Sequence, residues 1–386
     1  VRIAEQSGHR ELALSLRQPV DSPLGRLQPT ADPLRISATR SGFQVGDRAV
    51  EGATLEFRPA PTGGGPTANR PVVAVDLQAP GQARPTPLRG ALVIRRTRGG
   101  LLEPIIEIDL ETYVAGALLA EMPGSFGAPA LAAQAVAIRT FGLYERSRNR
   151  ARGSRALPFD VHSSVASLRY AGVSHESDLS WQIVEQTRGR VLMFRGHLFP
   201  AYFHSTSGGA TVSADSVFGG FASFPPLAGG VPSPSEASPL NQWSTRFAWS
   251  DVRAVLEQNG AAGAGLGPAL REVQLQFAPG VEPAVTQPDP ARRPVAVRFV
   301  TANGASFEIE TPRFRMSIGA GRDGLPSTAV VLRATNDGRG VTADGVGWGH
   351  GVGLCQYGAA ALGQRGRTFD QILSYYYPQS ETRTLY

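Results

Sequence analysis

Apolar residues recur at helical spacing in two stretches of the chain and gather in short β-like runs elsewhere. In "LETYVAGALLAEMP", Val114, Leu118 and Glu121 fall at i, i+4 and i+7, one stripe of a helix predicted over residues 110–122. In "PALAAQAVAIRTFGLYE", Ala132, Val136, Arg139 and Leu143 form a second stripe, on a helix predicted over 128–146. Pro129 stands in its first turn, where a missing N–H costs nothing. Between Leu34 and Arg96 the runs "LRISA", "TLEFRP", "VVAVDL" and "ALVIRR" are broken by Pro/Gly-rich pieces such as "PAPTGGGP", the pattern of short strands and loops. Residues 1–33 are polar and irregular, an expected tail or linker. Residues 188–204 predict a hairpin turning at Arg195-Gly196, and 221–240 a Pro/Ser/Gly-rich loop. "SDVRAVLEQ" predicts a short helix with Ser250 as N-cap. Residues 271–334 read mainly as β. The end is helical: Thr368 and Gln371 have capping-box spacing, and Pro378 follows as a stop. The sum is an α+β chain without internal repeats.

Composition narrows the class. The 386 residues can bury one large core or two smaller ones, and 41% hydrophobic with 18% charged residues fits a soluble globular protein. No apolar run is long enough to span a membrane. The chain opens at Val1 without a basic-then-apolar leader, so a signal peptide is expected to be absent or removed. The net charge of +6 comes with 38 basic residues, all Arg, and favours anionic partners such as nucleic acid, acidic lipid or cell-wall polymer. The basic residues are scattered apart from Arg146, Arg148, Arg150, Arg152 and Arg155, read as a solvated loop; aromatic interleaving is missing, so nucleic acid is not expected. One cysteine excludes an intramolecular disulfide.

Four places carry candidate chemistry. Glu121 projects from an apolar stripe just before Met-Pro ends the helix; unpaired there, its pKa rises toward what a general acid needs, or else it sits at a frayed end and reaches water. Arg139 points where a core residue would; it bridges a carboxylate, for which Glu121 is a candidate, or is satisfied by backbone carbonyls. "FHSTSGG" places His204, Ser205, Thr206 and Ser207 at a strand end before a Gly-forced turn. "GWGHGVGLCQYG" leaves His350, Cys355, Gln356 and Tyr357 among glycines. Three readings compete for that last stretch: a thiol nucleophile with its base, a metal site using His204, His350 and Cys355, or a backbone scaffold gripping something polar. Two His motifs flanked by glycines and polar groups suggest one shared cleft.

These segments, with "VEQTRGRVL", "RFRMSIG…LPSTA" and "GQRGRTFDQILSYYYP", occur in an order that resembles the SpoIID/LytB family over roughly residues 95–386. The resemblance implies a SpoIID-like fold whose β-rich segments and few helices frame a glycan-binding cleft, arranged as 1–33 tail, 34–97 N-terminal β-rich region and 98–386 family domain. It implies binding and cleavage of peptidoglycan glycan strands, including strands stripped of stem peptides, outside the cytoplasm. The family's catalytic acid falls on Glu121 and its "RT" arginine on Arg139, while His204, Ser205, Ser207, His350, Gln356 and Tyr357 fall on substrate-binding positions. A lytic transglycosylase needs one carboxylate and no metal or cofactor. The amidase-enhancer branch offers the alternative of a silent glycan module partnering a cell-wall amidase. Some relatives hold zinc in a segment where this chain reads "DVHSSVASLRY"; His162 and Ser167 replace two Cys and Ala166 a His, so that thiolate site is not expected. Relatives often carry Ser where this chain has Cys355, which favours a buried structural thiol over a nucleophile.

Overall fold

The computed structural model describes the chain apart from residues 4–5, 61–72, 164–167, 171, 219–223, 262–269 and 284–285. Ala166 and Ser167 lie outside the described residues, as do most of "PAPTGGGP" and the start of the 221–240 loop. The architecture is α+β. The chain divides into two compact units, the first comprising Val1–Met193, His197–Pro200 and Thr382–Tyr386, the second Phe194–Gly196 and Ala201–Glu381. The 34–97 strands and the helices after them lie in the first unit.

In the first unit, eleven strands among the described residues precede any helix: β1 (Glu11–Leu16), β2 (Val20–Ser22), β3 (Gly25–Leu27), β4 (Leu34–Ala38), β5 (Gly42–Val45), β6 (Arg48–Glu51), β7 (Thr54–Pro59), β8 (Val73–Gln78), β9 (Thr86–Arg89), β10 (Ala91–Arg96) and β11 (Leu102–Glu107). They form a six-stranded sheet in the order β6-β5-β4-β1-β8-β9 and a five-stranded one in the order β11-β10-β7-β2-β3. The expected tail is thus a correction. In "ELALSL", Leu12, Leu14 and Leu16 alternate inward and are buried, which puts β1 between β4 and β8 inside the larger sheet. The period-2 signal was there, diluted by polar flanks.

Two helices follow as expected. Helix α1 (Leu110–Glu121) is capped by Asp109, whose carboxylate accepts from Thr112 N–H. Helix α2 (Ala128–Arg150) runs four residues past its expected end, so Arg146, Arg148 and Arg150 are helical rather than in a loop. The small residues of α2 allow close approach: a Cβ on Gly142 would come 2.9 Å from the Tyr113 ring of α1. Helix α3 (Asp178–Gln186) and a small sheet of β12 (Arg190–Phe194), β13 (His197–Leu198) and a C-terminal strand complete the unit. The turn at Arg195-Gly196 has both φ values positive, 50° and 77°, the primed turn a tight hairpin requires.

The second unit contains a parallel pair, β14 (Phe203–His204) with a strand at Leu354–Cys355, and two three-stranded antiparallel sheets. Its core gathers Phe247, Trp249, Val252, Val297, Phe299, Phe314 and Leu332. Two local expectations are corrected. The helix at Trp249–Leu256 is capped by Ala248, not Ser250: the chain leaves a strand directly into the helix, and Asp251 in its first turn accepts from Ala248 N–H at 3.2 Å. Within the expected β stretch, Thr311–Ile318 is a helix with Pro312 in its first turn, and it buries Phe314. The capping box of Thr368 and Gln371 opens the last helix, Phe369–Tyr376, as expected.

Candidate functional site

The two units carry separate sets of candidate residues. In the first, Val114 and Leu118 are fully buried as expected, but so is every residue from Glu111 to Leu118, so α1 is enclosed on all sides rather than along one stripe; Glu121, at the last turn, is half-buried. Met122 caps the helix through its N–H to Leu118 O and is itself fully buried, so the Glu121 backbone is anchored on both sides. The Glu121 Oε1 accepts from Arg169 N–H, and among the described residues no other group hydrogen-bonds this carboxyl. Burial raises its pKa, opposed by that backbone bond and by the Arg169 charge. The helix C-terminus adds to the same direction, because it is the negative end of the dipole.

Arg139 does not meet Glu121. Its Nε and Nη2 reach both oxygens of Glu111 at 3.0 and 2.6 Å, and Nη1 donates to Arg190 O at 3.0 Å. The Arg139 side chain is fully buried and the Glu111 side chain 5% exposed. Glu111 also accepts from Gly189 N–H and from the Tyr386 hydroxyl. The salt bridge was expected; the partner is the other acid on the α1 stripe, three residues before Val114. Arg139 is therefore a tie between α1 and α2 and cannot touch a ligand without repacking.

In the second unit, "FHSTSGG" and "GWGHGVGLCQYG" are laced together by main chain. His204 pairs with Cys355 in the parallel ladder; Thr206 and Trp348 exchange both N–H···O bonds at 3.0 and 2.8 Å; Tyr357 N–H donates to Ser205 O at 3.1 Å. The glycines explain how the loop gets so close. Gly349 has φ of +104°, and a Cβ there would come 2.9 Å from the Cβ of His204. Gly353, at φ +70°, would collide with Tyr202 O.

The juxtaposition expected of the two His motifs is present, with ring centroids 5.6 Å apart. Each imidazole has a fixed tautomer. His204 Nδ1 lies 3.1 Å from Val352 O, so it carries the proton and donates; Nε2 is left a buried acceptor without a partner among the described residues. His350 Nδ1 accepts from Val352 N–H at 3.0 Å, so its proton is on Nε2. Burial depresses both pKa values: His204 falls well below the usual imidazole range, and His350 to about 3, helped by the charges of Arg293 and Arg315. Both rings are neutral hydrogen-bonding groups at physiological pH. Of the other expected residues, Ser207 and Gln356 are buried, while Ser205 and Tyr357 are half-buried.

Cys355 is fully buried, and its sulfur is committed: Ser207 N–H and Gly358 N–H point at it from 3.3 and 3.4 Å, and it lies 3.6 Å from Ser205 O. It is the N-cap of the helix Gln356–Gln364. A hydroxyl can make the same contacts, and an engaged sulfur is not a free nucleophile. Among the described residues no three His, Cys, Asp or Glu side chains are grouped to hold a metal, so His204, His350 and Cys355 do not form one.

Sequence reasoning missed Arg293 and Arg315. Arg293 donates to Pro290 O and Thr328 Oγ1, and Arg315 to Leu325 O and Pro326 O. Burial lowers their pKa values to about 9 and about 10. The "RFRMSIG…LPSTA" segment held Arg315 in plain view, but nothing in its spacing said that the side chain turns inward.

The family model described as Stage II sporulation protein, SpoIID, matches residues 98–194, the part that holds α1 and α2. Stage II sporulation protein D of Bacillus subtilis is 29% identical over 286 residues, 71% of this chain and 74% of that protein. An uncharacterised protein of Brachyspira hyodysenteriae is 28% identical over 274 residues, 70% of this chain and just under two thirds, 66%, of that protein. The Bacillus subtilis amidase enhancer is 27% identical over 299 residues, 68% of this chain but 39% of that longer protein. No helix among the described residues is long and apolar enough to cross a membrane. The family model and these relatives support the resemblance to the SpoIID/LytB family that the ordered motifs carry.

Proposed function

We propose that this chain acts on the cell wall outside the cytoplasm, binding peptidoglycan glycan strands and cleaving them as a lytic transglycosylase with Glu121 as both acid and base. The observation that carries this reading is the Glu121 carboxyl: half-buried, raised in pKa, and held on one oxygen by Arg169 N–H, with no other hydrogen-bond partner among the described residues. A carboxyl whose pKa is raised keeps its proton to a higher pH than an ordinary one, which favours delivering it to a leaving group. Its proton would go to the glycosidic oxygen as the C1–O bond breaks. The C6 hydroxyl of the same sugar would then attack C1 and return its proton to the Glu121 carboxylate. The products are a 1,6-anhydro-N-acetylmuramic acid end and a shortened strand, with Glu121 reset and no water consumed. A water-using glycosidase needs a second carboxylate for the attack; this route does not.

Arg139, expected beside Glu121 in the chemistry, would act indirectly, fixing α1 on α2 through Glu111. Ser205, His350 and Tyr357, with exposed surface in the second unit, would hydrogen-bond sugar hydroxyls and acetamido groups. His204, Ser207 and Gln356, more deeply buried, would support them, with the open acceptor of His204 Nε2 as the exception. No metal or cofactor enters this reaction.

The similarity to an amidase enhancer supports a second reading, in which the chain grips glycan without cutting it and promotes a cell-wall amidase. Digestion of purified, peptide-stripped glycan, followed by mass analysis of the ends, separates the two. Anhydro ends support the transglycosylase. Bound but intact strands on both stripped and unstripped glycan would move the assignment to the enhancer.

A further inference from the structure

A cavity of about 420 Å³ lies in the first unit at the N-terminal end of α1, within the range of small-molecule sites. Its walls include Ile105, Tyr113, Arg146, Arg150, Leu157 and Phe159. Three features ask for a ligand. Tyr113 is 4% exposed, and its hydroxyl has no hydrogen-bond partner among the described residues, an unusual state for a buried polar group. Burial raises its pKa, so the hydroxyl keeps its proton and remains a donor.

Arg146 and Arg150, one helical turn apart on α2, share a face, and neither has an ion pair or hydrogen bond among the described residues. Arg148 between them behaves as a surface Arg normally does, pairing with Glu145 at 2.7 Å. The carboxylates around the cavity do not cancel the two free guanidinium groups. Glu107 is bound by Arg58 at 2.9 Å, Asp109 is occupied by Thr112, and Asp160 alone remains. Finally, Leu157 is 43% exposed at the cavity while Ile105 and Phe159 are buried behind it, an apolar wall with an open edge.

We propose that this cavity binds a small organic anion with an apolar body, its charge held by Arg146 and Arg150 and its body against Leu157, Phe159 and Ile105, with the Tyr113 hydroxyl, closed off from solvent in this state, turning to meet an acceptor oxygen. The cavity lies toward the other end of α1 from Glu121, although the Glu121 charge still adds to burial in raising the Tyr113 pKa. Tyr113 precedes Glu121 by eight residues, roughly 12 Å along the axis of α1 at 1.5 Å per residue.

Calorimetric titration of the whole chain with octanoate tests it, beside octylammonium and acetate as controls for charge and for the apolar body. The expected result is saturable octanoate binding at one site per chain, weakened by salt, with neither control binding comparably. Arg146→Gln/Arg150→Gln should weaken octanoate about tenfold or more, since charge-assisted bonds are lost. Tyr113→Phe should weaken it by a smaller factor without lowering the melting temperature, because the native hydroxyl has no partner to lose. Glu121→Gln should bind octanoate like the wild type. Absent saturable octanoate binding, equal binding of octylammonium, or unchanged octanoate affinity in the folded double variant would each overturn the proposal.

Discussion

Glu121 in the first unit and His350 in the second are both drawn out of water, and the same physical cause moves them in opposite directions. Burial penalises the charged form, so the carboxyl is raised and the imidazole lowered to about 3. One group is thereby kept able to give and take a proton. The other becomes a neutral hydrogen-bonding group, as does His204 beside it. Their supports differ too. Glu121 ends a helix and has Arg169 N–H as its one hydrogen-bond partner among the described residues, whereas His350 is pinned by Val352 N–H inside a glycine-rich loop laced to the 203–207 segment. Under the proposed function, the first place would serve proton transfer and the second fixed recognition.

The largest effect should come from the tie beneath the first of these. Removing one partner of a buried ion pair leaves the other unpaired, at a cost of about 3–5 kcal/mol. Arg139→Met should therefore destabilise the first unit strongly, with Glu111 stranded, in chemical denaturation monitored by circular dichroism. A loss below about 1 kcal/mol would mean that the pair is not the tie described here. If the double variant Arg139→Met/Glu111→Leu recovers stability without recovering turnover, Arg139 does more than hold α1.

A smaller effect sharpens the opposition in sign. His350 is neutral when folded down to about pH 3, yet binds a proton below about 6.5 when unfolded, so its contribution to stability is lost as pH falls through that window. His204 has the same sign. Glu121 has the reverse: with its folded pKa raised, the folded state holds the proton longer, and stability is lost as pH rises from the ordinary carboxylate value through the folded one. Thermal melts from pH 7 to 4 should show acid sensitivity that His350→Gln reduces, while Glu121→Gln lessens the loss on the rising side. Equal acid sensitivity in His350→Gln and wild type would contradict the histidine half of the comparison.

The smallest change is expected at the thiol. Cys355→Ser should leave folding and activity within about twofold, since a hydroxyl can accept from Ser207 N–H and Gly358 N–H and cap the helix as well as sulfur does. Loss of activity in a folded Cys355→Ser would revive the nucleophile.

Much of this was legible in the sequence, for reasons that can be located. Both α1 and α2 were legible because their runs are rich in helix-favouring Ala and Leu and are bounded by Pro123 and Pro129, although both prove buried on most sides rather than along one stripe. Arg195-Gly196 gave its hairpin, and Thr368 with Gln371 its cap, because turn and cap chemistry is local. Glu111 shows the limit. It stands on the same stripe as Glu121, so Arg139 had two acids to choose from, and only tertiary packing selects one. The strand Glu11–Leu16 carried a clean alternation that averaging over a polar segment hid. Helix Thr311–Ile318 lay between strands with two arginines in a short apolar pattern, where Thr-Pro at its start was the remaining signal. The inward turn of Arg293 and Arg315 had no local signature, because burial of a cation is decided by what packs over it.

The central claim is that Glu121 supplies and recovers the proton of glycan cleavage. Gln is nearly isosteric, keeps the helix and cannot exchange that proton. Turnover of peptide-stripped glycan by wild type and Glu121→Gln, with a pull-down on the same glycan, tests this directly. The account predicts a loss of order 10²–10⁴ in rate or more, with binding retained. Turnover near wild type in a folded Glu121→Gln would remove Glu121 as the acid and contradict the account.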